Sequence, residues 1–265
     1  MDKGVVHTGD LIFPWQKGIR QDAEADSQQK TRNFEISGGQ RQITLFFRGR
    51  MKKSASNNQK QKTLAIIKSI HQAAQIFDSK LVGKAFLYVY EGKAIEVVYR
   101  ASDFLHLTGV DTALTASAFY RNAKAGKLST EQIFFSARHP YNLSKKKMLQ
   151  LLNIELVTNS PLLILENMTT QTHTFKFGLT ELNFSVCLDP DLDFNGNLRS
   201  SYYIARSLRV EDSFSKGLNA YEVNCIFSKS NDKSKYDCLM YKDDKIRIAD
   251  LPDKVLKMLA EDLSQ

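Results

Sequence analysis

The hydrophobic period of the chain changes at Pro161, and that change constrains the fold more than any other feature. Upstream, Thr63, Ile67, Ile70, Ala74 and Phe77 recur at three- and four-residue steps, the spacing that gathers apolar side chains on one helix face. Residues 81–90 are apolar and aromatic, Glu91-Gly92-Lys93 makes a turn, and residues 94–100 alternate so that Ile95, Val97 and Tyr99 share a face, which predicts a hairpin. Ser102 is placed to cap a short helix containing His106, and Gly109 to end it. Further helices are predicted from about Thr112 to Ala125, from Ser129 with Gln132 completing a capping box, and from Ser144 with Leu149, Leu152 and Leu156 turned inward. Downstream of Pro161, residues 162–166, 172–179, 183–188, 200–209, 221–227 and 236–241 read as strands. Turn signals such as Asp189-Pro190, Asn195-Gly196, Lys216-Gly217 and Ser230-Asn231-Asp232 separate them. Pro252 opens a last helix carrying Val255, Leu256 and Leu259. The predicted class is α+β: N-terminal helices and a hairpin, then a curled antiparallel meander, then a C-terminal helix.

Residues 1–60 read differently, as a polar, partly flexible extension ahead of a domain over residues 61–265. Within it, the apolar run 42–47 has the look of a strand, residues 54–62 have the composition of a linker, and Trp15 sits in an apolar patch at 11–15.

Lys and Arg number 37 against 29 Asp and Glu, a net charge of +8 that suits a polyanionic partner, nucleic acid first. No apolar run is long enough to span a membrane, and the N-terminus lacks an apolar signal core, so a cytoplasmic protein without a membrane partner is expected. Cys187, Cys225 and Cys238 are odd in number and widely spaced, which predicts reduced, buried thiols and neither a disulfide frame nor a metal site. Asp189, Asp191 and Asp193 alternate like a cation loop but lack its glycine and distal glutamate, so they read as a surface turn. Phosphate-cradling glycine loops, Gly-x-Ser-x-Gly and His-Glu-x-x-His are all missing, and no cofactor is expected.

What remains is acid–base chemistry without a metal. Cleaving RNA that way needs a group to take the 2′-hydroxyl proton, a group to protonate the leaving oxygen, and a cation for the charge on the transition state. Histidine serves either proton transfer near neutral pH. The candidates are His106 after the hairpin, Arg206 and Arg209 on the strand 200–209, Ser228 and Lys229 at the end of the next, and Tyr236 at the start of the last, with Arg100 and Arg209 as substrate contacts. His106 read by itself is as well explained as a core histidine bonded to a backbone carbonyl. Arg206 and Arg209, three apart, fall on opposite faces of a regular strand unless a bulge intervenes. His139, in a loop before Pro140, is the rival histidine.

Phe104-Leu105-His106-Leu107-Thr108-Gly109-Val110 following two strands resembles the phage-associated branch of the barnase/EndoU/colicin/RelE-like nuclease superfamily. Phe119-Tyr120, Asn159-Ser160-Pro161, Ser201-Tyr202-Tyr203-Ile204-Ala205-Arg206 and the run 223–229 leading into Tyr236 support the resemblance. It implies a sheet whose concave face holds RNA, a histidine supplied from the helical side at His106, and a toxin-like, metal-independent endoribonuclease of phage or mobile-element origin. Such an enzyme would act in a host cell's cytoplasm, with a protein inhibitor or host complex as a further partner. Relatives carry an aromatic-Pro-x-hydroxyl pattern on the last strand. Here Tyr236-Asp237-Cys238-Leu239-Met240-Tyr241 has neither the proline nor a Ser or Thr. That departure suits the alternative, a non-catalytic binding module or inhibitor that engages nucleic acid or a host protein complex.

Overall fold

The computed structural model describes residues 40–170, 173–210, 217 and 219–264, with side chains over residues 57–263 of these. The chain divides into two compact units, residues 1–49 and 50–265, and the second carries the sheet. The apolar patch at 11–15 lies outside the described residues.

Helix α1 (Gln40–Lys80) runs for 41 residues. Both expectations for its first half are corrected, since residues 42–47 are helical rather than a strand and residues 54–62 are helical rather than a linker. A short apolar run does not by itself distinguish helix from strand, and Gln, Lys and Ala are strong helix formers however polar the stretch. From Thr63 onward one stripe is buried: Ile66, Ile70, Ala73, Ala74 and Phe77.

The predicted hairpin forms from β1 (Lys84–Tyr90) and β2 (Lys93–Val98), turning through Glu91 and Gly92 at φ of 46° and 67°. A 3-10 turn (Ala101–Asp103) leads into α2 (Phe104–Thr108), followed by α3 (Ala116–Lys124), a second 3-10 turn (Thr130–Gln132), α4 (Tyr141–Leu151) and α5 (Leu156–Asn159). Several predicted ends move. The 3-10 turn closed by Asp103, and not a Ser102 cap, leads into α2. Thr115 caps α3, accepting from the Ala118 amide at 3.3 Å, so that helix begins later than Thr112. The Ser129–Gln132 capping box is present but closes a single 3-10 turn. Helix α4 starts after Pro140, which puts Ser144 inside it. Leu149 then faces solvent at 58 % exposure while Met148 and Leu151 turn inward.

The strands that follow are β3 (Leu163–Thr169), β4 (Thr174–Thr180), β5 (Ser185–Leu192), β6 (Leu198–Arg209), β7 (Asn219–Glu222), β8 (Cys225–Ser230) and β9 (Cys238–Lys242), before the short helices α6 (Asp253–Leu256) and α7 (Glu261–Ser264). Only β3 to β6 form the predicted meander. The nine-stranded sheet has the order β7-β3-β4-β5-β6-β2-β1-β8-β9, and β6 joins β2 in parallel through Val97↔Tyr203 and Val98↔Ile204. The run 221–227 splits, because Val223 and Asn224 carry the chain from β7, on β3, to β8, on β1. Their amides reach Leu162 O at 2.9 Å and Val89 O at 2.7 Å, so the sheet curls strongly without closing.

The hairpin strands have few polar positions because β1 is covered on both faces. Phe86, Tyr88 and Tyr90 pack with the helices, while Ala85, Leu87 and Val89 pack with Phe227, Leu251, Val255 and Leu259 from the C-terminal part. That second layer corrects the picture of an open concave face along β1 and β2. Cys187 and Cys225 are buried free thiols as expected, whereas Cys238, on the edge strand β9, is exposed.

Candidate active site at the junction of α2 and β6

Helix α2 is short because Gly109 ends it in the left-handed conformation (φ 67°) and Thr108 turns its hydroxyl back to Leu105 O at 2.7 Å. Phe104, Leu107 and Thr108 face inward and are fully buried. The helical period then turns His106 outward, and its side chain is exposed. The core-histidine alternative does not describe it. Enough protein still crowds the ring that desolvation, and then the charge of Arg206, hold its pKa below the ordinary histidine value.

Arg206 reaches this place through a bulge. Leu188 pairs with Ala205 and Cys187 with Ser207, which leaves Arg206 as the extra residue on β6. Beyond Val98, β2 has left the sheet while β6 continues, and α2 packs beside the uncovered part of β6. The charge of Arg206 acts on both His106 and Asp103. Asp103 is 4 % exposed and accepts the Arg100 amide at 3.0 Å. Burial dominates there and pushes its pKa up to about 6, against the opposing pull of Arg100 and Arg206. Nothing in composition points to Asp103; its one sequence signal is its place three residues before His106 in the same motif.

Arg100 is already engaged. Its guanidinium donates to both carboxylate oxygens of Asp191, one at 2.7 Å, and Ser200 Oγ donates to the same carboxylate at 2.8 Å. Asp191 is 1 % exposed, so the pair ties the 3-10 turn before α2 to β5. The other two aspartates of the alternating run look elsewhere: Asp189 bonds His173 at 2.9 Å and Asp193 takes the Asn195 and Asn197 amides at 2.8 and 2.9 Å.

Arg209 lies further along β6, its guanidinium 6.0 Å from the Phe175 ring centroid and close to the Cys187 thiol, and its charge is felt by Lys147 of α4. Lys147 escaped the sequence reading because it is one of three consecutive lysines, a pattern that resembles a solvated face.

Ser228, Lys229 and Tyr236 are placed apart from His106. Strands β2 and β1 stand between β6 and β8, roughly 14 Å at ordinary strand spacing. Tyr236 is fully buried and donates its hydroxyl to Glu96 at 2.7 Å, which with burial raises its pKa strongly. The Lys229 ammonium lies over the Tyr236 ring, 4.6 Å from its centroid, and donates to Ser234 O at 3.1 Å. Ser228 points to the opposite face of β8, opposite Phe86, and is buried. The rival His139 holds Asp111 through Nδ1 at 2.6 Å.

Among known proteins, the model of the family described as phage-Barnase-EndoU-ColicinE5/D-RelE like nuclease4 matches residues 69–245, about two thirds of the chain. The chain belongs to this nuclease family. Neither a curated protein nor a solved structure matches it. The matched span of the nuclease holds His106, Asp103, Arg100, Lys147, Arg206, Arg209, Ser228, Lys229 and Tyr236. Among the described residues of this nuclease, no helix is long and apolar enough to cross a membrane.

Proposed function

We propose that the nuclease cleaves RNA by acid–base chemistry, with His106 as the proton-transfer group. The observation that carries the proposal is a solvent-open imidazole on a helix packed against β6, within the electrostatic reach of the bulged Arg206. Neutral His106 takes the proton of a 2′-hydroxyl. The O2′–P bond forms, the P–O5′ bond breaks, and the leaving oxygen takes a proton from solvent, giving a cyclic phosphate end. Arg206 stabilises the charge on the phosphorane-like transition state. Arg209 contacts a flanking phosphate, and Lys229 is left for a more distal one. Arg100, Ser228 and Tyr236 hold the frame, because their polar groups are engaged or enclosed. The family description, which names both phage and nuclease, supports a toxin-like role in a host cell's cytoplasm for a protein of phage or mobile-element origin.

The test is incubation of the purified protein with labelled RNA in EDTA. Fragments ending in cyclic phosphate are expected, and His106→Ala is expected to abolish them while leaving the fold intact. Full cleavage by that variant would remove the mechanism.

A second reading is a binding module that keeps the fold without the chemistry. It is favoured by the last strand, where Cys238, Leu239 and Met240 stand and the Tyr236 hydroxyl is enclosed. RNA binding that weakens steeply with salt, without fragments, would select it.

A further inference from the structure

Three large apolar side chains face solvent at the tip of one hairpin, the turn 193–197 that joins β5 to β6. Phe194 is 92 % exposed, Leu198 70 % and Leu192 37 %. Leu192 and Leu198 are partners in the ladder, so they share a face just below Phe194. The turn itself is well fixed. Asp193 Oδ1 accepts the Asn195 and Asn197 amides at 2.8 and 2.9 Å, and the Asp193 amide donates to Asn197 O at 2.8 Å. Gly196 supplies the left-handed residue, at φ 83°. The Asp193 carboxylate is thereby engaged inside the loop.

This tip ends an arm. On β5 the β4 ladder stops at Leu188, and on β6 the β2 ladder begins at Tyr203. Among the described residues, no other strand flanks residues 189–192 or 198–202. The bare edge of β5 does not invite one, because Pro190 has no amide to offer and Asp191 sits at a shift in register. Contact is left to the side chains at the tip. The arm is also braced. Asp191 takes the Arg100 guanidinium at 2.7 Å and Ser200 Oγ at 2.8 Å, and Arg100 opens the 3-10 turn that leads into α2 and His106.

A phenyl ring held in water at the end of a braced arm fits a nucleobase, since every base offers it a π-face. Strand β6 runs from the tip to the candidate site. Exposed Arg199 stands next to Leu198, and Arg206 follows Arg199 by seven positions, about 23 Å at ordinary strand rise. That length spans several nucleotides.

We infer that Phe194, framed by Leu192 and Leu198, is a base-stacking subsite for single-stranded RNA whose backbone runs along β6, past Arg199, to the phosphate held at Arg206. The identity of the ligand rests on the ribonuclease function proposed above; the braced apolar arm does not.

The test uses the full chain and a 2′-O-methyl oligoribonucleotide of about twelve residues, which lacks the attacking hydroxyl. Phe194→Ala is expected to bind it about tenfold more weakly with an unchanged salt slope, because stacking releases no counterions. Arg199→Gln is expected to lower that slope by about one, and Phe194→Tyr to bind like the parent. A dinucleotide, too short to reach from Arg206 to the tip, is expected to bind the parent and Phe194→Ala alike. Melting temperatures should be unchanged in these variants, because Phe194 and Arg199 are exposed. Phe194→Trp adds a second tryptophan to Trp15, and RNA is expected to quench the added fluorescence. Undiminished RNA binding by Phe194→Ala, without quenching in Phe194→Trp, overturns the subsite. So does a Phe194→Ala protein that binds RNA normally but has lost binding to phosphatidylglycerol vesicles or a concentration-dependent dimer, which gives the tip to a lipid surface or to a second copy of the chain. A parent that cleaves RNA with Phe194 making no difference loses the subsite alone. Binding that depends on Phe194 without any cleavage keeps the subsite and removes the acid–base mechanism.

Discussion

Lys147 lies across the bare Cα of Gly109, close enough that no other residue type fits beneath it without displacing the lysine. The glycine is needed there for φ as well, at 67°. Gly109→Ala should therefore combine a left-handed alanine with a displaced buried side chain, a loss of about 1–3 kcal/mol. Urea unfolding measures it. In a Lys147→Ala background part of that loss should vanish, with a coupling of about 1 kcal/mol. Strict additivity would mean that the contact contributes nothing.

The pH response of His106 has a definite sign. Desolvation and Arg206 hold its pKa below the usual value of 6.5. As a base it works in its neutral form, so cleavage should rise with pH through an apparent pKa under 6.5 and then level off. Removing the guanidinium with Arg206→Gln relieves the imidazolium, so the same inflection should move upward while the plateau falls. NMR titration of the His106 ring gives the pKa independently of turnover; a downward movement in the variant would contradict the proximity of the two groups.

Asp103 supplies a stability signature. Its folded pKa of about 6 lies above the value of 3.8 for a free carboxyl. Between those values the folded state holds more protons than the unfolded one, so this group's contribution is fully favourable below about pH 4 and is lost as pH rises through about 6. The whole effect is about 3 kcal/mol at most. Asp103→Asn keeps an acceptor for the Arg100 amide and does not titrate. Its stability relative to the parent should thus improve from pH 4 to pH 7, as read from urea midpoints at each pH. A constant difference would show that the carboxyl is not perturbed.

Tyr236 separates framework from chemistry. Tyr236→Phe removes the bond to Glu96, at 2.7 Å, and leaves that carboxylate short of a donor. A loss of about 1–2 kcal/mol in stability is expected, with RNA cleavage at saturating substrate nearly unchanged. A hundredfold fall in cleavage with unaltered stability would return the hydroxyl to the reaction.

The elements before and after Pro161 were legible because each carries its period locally. Ile95, Val97 and Tyr99 announce a strand, Ser129 and Gln132 announce a cap, and Gly109 announces the end of a helix, whatever surrounds them. His106 was legible too, since a histidine beside leucines and a glycine is conspicuous, although only the packing of α2 decided that its ring faces outward. The Arg206–Arg209 pair shows the limit. Whether two arginines three apart can serve one region depends on a bulge, and a bulge is a mismatch in register between β5 and β6 that neither strand encodes alone.

The amino-acid sequence by itself determined most of the helical and strand stretches after Thr63, the single 3-10 turn after Ser129 and the break in the run 221–227 excepted, and its motif identified the nuclease family. Tertiary structure alone decided which strands are neighbours, placing β2 beside β6 and β8 beside β1. It alone laid the Lys147 stem over Gly109 and set Tyr236 on Glu96. The reason is physical: periodicity and capping depend on residues within a turn or two of each other, whereas strand order, burial of a charge and the pairing of distant side chains depend on how whole faces pack, and that is a property of the assembled chain.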